Sequence, residues 1–231
     1  MINAILFDKD GTLFDFYHTW GELTERAALM VAGGDAEKAR YLLENSGKDP
    51  VTGRFAPSSP IASGSNREIV EVWCGLLDIA NVDEHYDRVH VMFLEHQKNG
   101  VTPVVDLELF FGRLKGRGLR LGVATMDSEV AARAAMKRLR AEALLDFICG
   151  FDTGHGVKPG GGMVEAFARS VGVAPANLAV VGDSPHDMHM ARAGKAARAI
   201  GVLTGVSPKE ALLEAGAHEV IASIAELETV I

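Results

Sequence analysis

The chain has 231 residues, 48% hydrophobic and 23% charged, and its 23 basic against 31 acidic side chains give 23 − 31 = −8 at pH 7. That length accommodates one large domain, or a core with a smaller insertion. The acidic balance argues against a broad phosphate-backbone footprint, so no nucleic-acid partner is expected. No run approaches the roughly 18 apolar residues of a spanning helix, so no membrane partner is expected either.

Cys74 and Cys149 form no CxxC pair and lack a metal-ligand spacing, which predicts two reduced core thiols. Asp8 and Lys9 interrupt the first apolar stretch before it reaches signal-peptide length, and a cytoplasmic location is expected.

Ile2–Asp8 reads as a buried strand. From Phe16 to Gln97 the pattern becomes helical, with apolar spacing over Trp20–Ala32, Asp35–Glu44, Arg67–Leu77 and Glu84–His96. Between the two pairs lies Asn45–Asn66, which holds Gly47, Gly53, Gly64, Pro50, Pro57 and Pro60. So long a loop is expected to serve as a lid or recognition segment. After it the chain alternates. Helices are expected over Leu107–Lys115, Ser128–Arg140, Gly162–Ser170, Pro185–Ala193, Ser207–Ala215 and near Ile224–Val230. Strands are expected over Leu119–Ala124, Phe147–Gly150, Leu178–Val181, Ala197–Val202 and Glu219–Ile221. Alternation of this kind implies right-handed crossovers and a parallel sheet covered by helices on both faces. The expected fold is therefore α/β, a Rossmann-like core built from residues 1–15 and 98–231, with residues 16–97 as an inserted all-helical cap.

In an open parallel sheet, ligands gather at the carboxyl ends of the strands. The first strand ends in Asp8-Lys9-Asp10-Gly11-Thr12. Two carboxylates two residues apart project to the same side, an arrangement that is costly unless a cation or proton separates their charges. Gly11 lets the chain turn sharply, and the Thr12 hydroxyl is expected to hold that turn. The next strand ends at Thr125, ahead of Met126 and Asp127; a later loop presents Lys158-Pro159; the fourth strand ends in Gly182-Asp183-Ser184, with Asp187 beyond. One hydroxyl, one ammonium and four carboxylates at one edge make a site for a phosphate and a divalent cation.

DxDGT, a strand-end Thr, Lys-Pro and GDSxxD in this order resemble the haloacid dehalogenase superfamily hydrolases, in the phosphoglycolate phosphatase-like group with a helical cap after the first motif. The resemblance covers the core from Asp8 to Asp187. It implies a Mg²⁺-dependent phosphatase of a small phosphorylated metabolite, phosphoglycolate being the best single guess. In it Asp8 is the nucleophile that becomes an aspartyl-phosphate and Asp10 the general acid and base. It further implies Thr125 holding phosphoryl oxygens and Lys158 offsetting their charge. The implied metal ligands are Asp8, Asp10 through its main-chain carbonyl, Asp183 and Asp187. A monomer or small homo-oligomer is expected.

Two departures stand out. Met126 replaces the Asn common after the motif-two Thr, leaving Asp127 or the backbone to supply a contact. Gly160-Gly161-Gly162 replaces a firmer helix start, so a looser segment is expected there. His155, His186 and His189 are expected in surface or supporting roles, and Lys48, Arg54 and Arg67 mainly as solvated charges. Tyr17, Trp20 and Trp73 are expected in the cap core. A phosphosugar mutase would use the same Asp8 chemistry. A phospho-accepting receiver-type module would spread its acids over two strands, whereas here both lie in one run.

Overall fold

A computed structural model of the chain describes residues 1–56, 59–100 and 102–231, and for residues 63 and 97–99 the backbone only. Pro57 of the expected loop lies outside the described residues. Six parallel strands form one sheet: β1 (Ala4–Phe7), β2 (Arg120–Ala124), β3 (Phe147–Cys149), β4 (Leu178–Gly182), β5 (Arg198–Val202) and β6 (Glu219–Ile221). Their order is β3-β2-β1-β4-β5-β6, and every pair is parallel, as the alternation of strands and helices implies. β1 lies inside the sheet, with Phe7 level with Val123 of β2 and Val181 of β4. Its carboxyl end therefore opens between those of β2 and β4, where strand order changes direction.

Period-two alternation assigns the faces of β1. Ile5 and Phe7 join a core with Phe110, Phe111 and Leu114 of α6 (Leu107–Gly116) and with Ala132, Ala135 and Met136 of α7 (Glu129–Arg138). Ala4 and Leu6 pack on the other face. Their neighbours there include Met163, Val164 and Phe167 of α8 (Gly162–Val171), Met188 and Ala191 of α9 (Pro185–Ala193), and Leu212 of α10 (Lys209–Glu214). Burial of one such Leu, Phe or Met is worth about 1.5–3 kcal/mol, so both helical layers hold β1 in register. The final expected helix is a 3₁₀ segment, Ile224–Thr229.

The helices between β1 and α6 are α1 (Glu22–Val31), α2 (Ala36–Asn45), α3 (Pro60–Ser63), α4 (Asn66–Leu76) and α5 (Val82–Asn99). They share a core of their own, including Phe16, Leu23, Leu42, Val70, Trp73 and Phe93, which Val206 from beyond β5 also joins. Their starts follow the capping residues: Asp35 accepts from the amides of Glu37 and Lys38, and Ser65 with Glu68 forms a capping box. Two expectations change here. The segment Asn45–Asn66 is not all loop, because Ser59 and Pro60 nucleate the short α3. The first helix begins not at Trp20 but after a π-helical turn, Tyr17–Gly21.

Candidate active site

The carboxyl edge of the sheet brings the predicted residues together. Asp8 follows β1 directly, its amide donating to the Val181 carbonyl at 2.8 Å. Gly11, at φ +85°, makes the turn that follows, and a side chain there would meet the Asp183 carboxylate at 2.6 Å. The Thr12 hydroxyl does not hold that turn: it is fully buried without a hydrogen-bond partner. Thr204, beyond β5, does so instead, donating through Oγ1 to the Gly11 carbonyl at 2.7 Å. The GDSPHD run serves structure and site at once. Ser184 and Asp187 cap α9 reciprocally, Pro185 occupies its first turn, and Asp183 is left at the strand end.

Asp8, Asp183 and Asp187 each bring a carboxylate oxygen within 4.8 Å of the others, and all three are buried. Lys158 Nζ lies 2.5 Å from both Asp8 Oδ1 and Asp187 Oδ1. Counted together when ionised, these four groups carry −3 + 1 = −2. Asp8 Oδ2 is buried without a partner, and Asp183 Oδ2 accepts from the Val206 amide at 3.1 Å. An excess of two negative charges on hard oxygen donors fits a divalent cation such as Mg²⁺. Asp187 is more fully engaged, since its Oδ2 also takes the Ser184 amide at 3.1 Å and hydroxyl at 2.6 Å.

This crowding shifts the carboxyl groups. Burial pushes Asp8 up to about 7 against the attraction of Lys158, with Asp187 and Asp10 adding to the rise. Asp183 is raised well above the ordinary carboxylate range, first by burial and then by the charges of Asp8 and Asp187. Burial opposes the charge on Lys158, but Asp187 and Asp8 more than offset it and hold the ammonium above its usual range.

Asp10 is raised by burial, with Lys9 opposing. Its two oxygens have different partners. Oδ1 accepts from the Trp20 indole at 2.7 Å, and Oδ2 lies 2.7 Å from Lys9 Nζ. Trp20 packs in the core of the inserted helices, as expected, and its indole nitrogen also reaches the site. Trp73 occupies the same core, bonded to the Ser46 hydroxyl at 2.8 Å. Thr125 is buried at the end of β2, where its Oγ1 accepts the Asp127 amide at 3.0 Å. Asp127 in turn lies 3.1 Å from Lys9 Nζ.

A cavity of about 80 Å³ opens onto Asp8, Asp10, Thr125, Lys158, Asp183 and Asp187, with Met126 and Asp127 beside them. Its opposite wall comes from the inserted helices: Phe16, Trp20, Ile61, Ile69 and Phe93, relieved by Thr24 and Asn66. Ile61 belongs to the stretch expected to act in recognition. His186 also lines the cavity, with its Nδ1 buried and unpartnered, whereas His155 and His189 do not. Lys48, Arg54 and Arg67 stay outside the lining. Lys48 pairs with Glu25, Arg54 lies over the Tyr17 ring at 5.2 Å, and Arg67 meets Glu71 at 2.8 Å and Asp83 at 2.7 Å. The glycine run after Lys158 is not loose: α8 starts at Gly162, and Gly161 packs against the backbone of Ala193 and Gly194 with no room for a Cβ.

Gly205 was not foreseen, and it carries a prediction. A Cβ there would overlap the Asp183 carboxylate. Gly205→Ala is expected to displace Asp183 and raise the Mg²⁺ concentration for half-maximal activity by about tenfold or more, since misplacing a reacting group by about 1 Å can cost 10²-fold. A magnesium titration of activity reads this directly, and an unchanged titration would refute it.

A parallel α/β sheet has its central strand ending in a buried carboxylate–lysine cluster, which faces a cavity walled by the inserted helices. The sequence profile of haloacid dehalogenase-like hydrolases matches residues 2–195, and the chain belongs to that family, in its phosphoglycolate phosphatase-like group of phosphoric monoester hydrolases. It is 35% identical over 210 residues to the phosphoglycolate phosphatase of Rhodospirillum rubrum, covering 84% of this chain and 76% of that one. It is 25% identical over 196 residues to the phosphoglycolate phosphatase of Neisseria meningitidis, covering 83% and 77%. The solved structure of a predicted phosphoglycolate phosphatase from Haemophilus somnus superposes with a TM-score of 0.76 at 16% identity, over 99% of this chain and 97% of that one. Among the described residues, no helix is long and apolar enough to cross a membrane.

Proposed function

We propose that the protein is a Mg²⁺-dependent phosphatase that hydrolyses a small phosphomonoester through an aspartyl-phosphate on Asp8. The observation that carries this reading is the asymmetry of the Asp8 carboxylate. Oδ1 is fixed by Lys158, while Oδ2 is buried and unpartnered in a residue that lines the cavity. An oxygen so placed is oriented for attack and has lost its water shell.

Asp8 and Asp183, with the Asp10 main-chain carbonyl, would hold Mg²⁺, which when bound screens charge on the phosphoryl oxygens. Asp8 Oδ2 attacks phosphorus as the bond to the leaving oxygen breaks, and the Asp10 carboxyl gives its proton to that oxygen. Asp10, now a carboxylate, takes a proton from water; the water oxygen attacks phosphorus, the bond to Asp8 breaks, and phosphate leaves. Burial favours a protonated Asp10 and so suits the first half of this cycle. Lys158 neutralises charge on Asp8 and on the transferring group, Asp187 orients Lys158, and Thr125 donates to a phosphoryl oxygen. Residues 16–97 act as a cap on the core of residues 1–15 and 98–231, closing an apolar wall over the leaving group.

Phosphoglycolate heads the substrates to test, because the relatives from Rhodospirillum rubrum and Neisseria meningitidis bear that name. Phosphate release should be measured over a panel of small-acid, sugar and nucleotide phosphates, with Mg²⁺ and with chelator. Metal-dependent release from at least one small phosphomonoester is the expected result. Isomerised sugar phosphate without net phosphate release would replace the hydrolase by a mutase, and no reaction in any arm would overturn the reading.

A further inference from the structure

We propose that Lys9 is a positioning residue for Asp10: its buried ammonium ties one carboxylate oxygen of Asp10 to Asp127 and leaves the other as the oxygen that meets the leaving group. The proposal rests on the phosphatase reading above, in which Asp10 is the acid and base.

Lys9 is fully buried. Its carbonyl accepts the Leu13 and Phe14 amides at 2.9 and 3.0 Å, closing a turn that folds the side chain beneath the loop. There Nζ lies 2.7 Å from Asp10 Oδ2 and 3.1 Å from Asp127 Oδ2. The Phe14 and Trp20 rings flank it, each with its centroid 5.6 Å away. An ammonium taken wholly out of water is expensive, and only close, well-directed partners offset that cost. Structure alone does not call for it, since a Leu or Met could fill the same space among Phe14 and Trp20. Without the cation, however, two carboxylates from different loops would face each other across a dry gap.

The consequence is directional. Asp10 Oδ2 is held by Lys9, and Oδ1 accepts the indole of Trp20, which lines the cavity together with Asp10. Exchange at Oδ1 between the indole and a leaving-group oxygen then needs no rotation of the carboxyl group. Asp127 anchors the far end of the bridge to the β2 loop, because its Oδ1 accepts the Ser128 amide at 2.7 Å. The acid is thus registered against the loop that carries Thr125, so proton donor and phosphoryl site move as one unit.

Leaving groups separate positioning from mere support. A nitrophenolate departs without a proton, whereas an alkoxide needs one, and a placed general acid contributes about 10²–10⁴-fold. K9M alone strips the cation from the buried Asp127 and the partly buried Asp10 and endangers the fold, so K9M/D127N, which removes one charge of each sign, is made beside it. For wild type and both variants, kcat/KM is measured with p-nitrophenyl phosphate and with the alkyl phosphomonoester that wild type hydrolyses best. The expected result is a fall on the alkyl substrate at least about 30-fold greater than on p-nitrophenyl phosphate. Stopped-flow traces with p-nitrophenyl phosphate should show a burst of one nitrophenolate per enzyme before slowed turnover. Equal losses on the two substrates, no loss on either, or a double variant that circular dichroism shows to be unfolded would each overturn the proposal. If wild type itself releases phosphate from neither substrate, the phosphatase reading fails first, and that outcome is distinct from a uniform loss in the variants.

Discussion

Asp8→Asn is expected to lower Mg²⁺-dependent phosphate release by on the order of 10⁴-fold or more, the range seen when a covalent nucleophile is removed. An amide oxygen carries no full charge and is a poor nucleophile toward phosphorus. The substitution preserves shape, and Lys158 keeps its partner Asp187 at 2.5 Å, so the ammonium is not stranded. The amide of residue 8 still donates to the Val181 carbonyl. Loss of activity should therefore appear without loss of fold. Acid-quenched enzyme from a reaction with labelled substrate should carry covalent phosphate in wild type and none in the variant. Residual release above about 1% of wild type, with folding confirmed by circular dichroism, would move the nucleophile elsewhere.

That Asp8 was visible in the sequence has a physical reason. A buried strand ending in two acids with a glycine behind them violates local expectations for burial, and such conflicts mark functional sites. The same logic exposed Asp183 and Asp187 after β4, and the alternation of strands and helices yielded the parallel sheet. What the pattern did not reveal depends on contacts remote in sequence. Thr204 Oγ1 reaches the Gly11 carbonyl, and Gly205 makes room for Asp183, because β5 lies next to β4, and β4 next to β1. No local periodicity encodes that adjacency. Trp20 lies in the expected core, but its second role at the site is hidden for a different reason. Helical spacing grouped it with Leu23 and Ala27, but the wider π-helical turn before α1 turns the indole nitrogen toward Asp10. Lys9 does leave a signal, a lysine inside a run otherwise fit for complete burial, but local pattern does not distinguish a buried anchor from the end of an apolar stretch. For Thr12 the turn rule fails: a hydroxyl in a turn suggests a hydrogen bond, but the residue is packed inward instead.

Asp183→Asn should separate activity from stability, with opposite signs. Activity is expected to fall by about 10³-fold or more, because the variant removes a full charge from the proposed Mg²⁺ site and carboxylate–metal electrostatics dominate phosphoryl transfer. The metal-free protein is expected to become more stable at pH 8, by about 1–2 kcal/mol. For a protein of this size that is roughly 2–8 °C in Tm. The cause is the crowding of Asp183. Burial, then Asp8 and Asp187, raise its folded-state pKa well above the unfolded value. The folded state therefore holds the proton more tightly than the unfolded chain does, and stability declines as pH rises from the unfolded carboxylate pKa through the folded one. Above the folded value the whole penalty is present; below the unfolded value it is absent. Asn removes the titrating group, and its side-chain oxygen can still accept the Val206 amide that Asp183 Oδ2 takes at 3.1 Å. The advantage of the variant over wild type should thus be largest near pH 8 in chelator and shrink toward pH 4. Adding Mg²⁺ should raise the Tm of wild type by mass action and leave the variant nearly unmoved. Thermal melts of both proteins across this pH range, with chelator and with Mg²⁺, test each part. A metal-free variant that melts below wild type at pH 8 would mean that Asp183 stabilises the fold, and the electrostatic reading of the cluster as a site poised for a cation would fall with it.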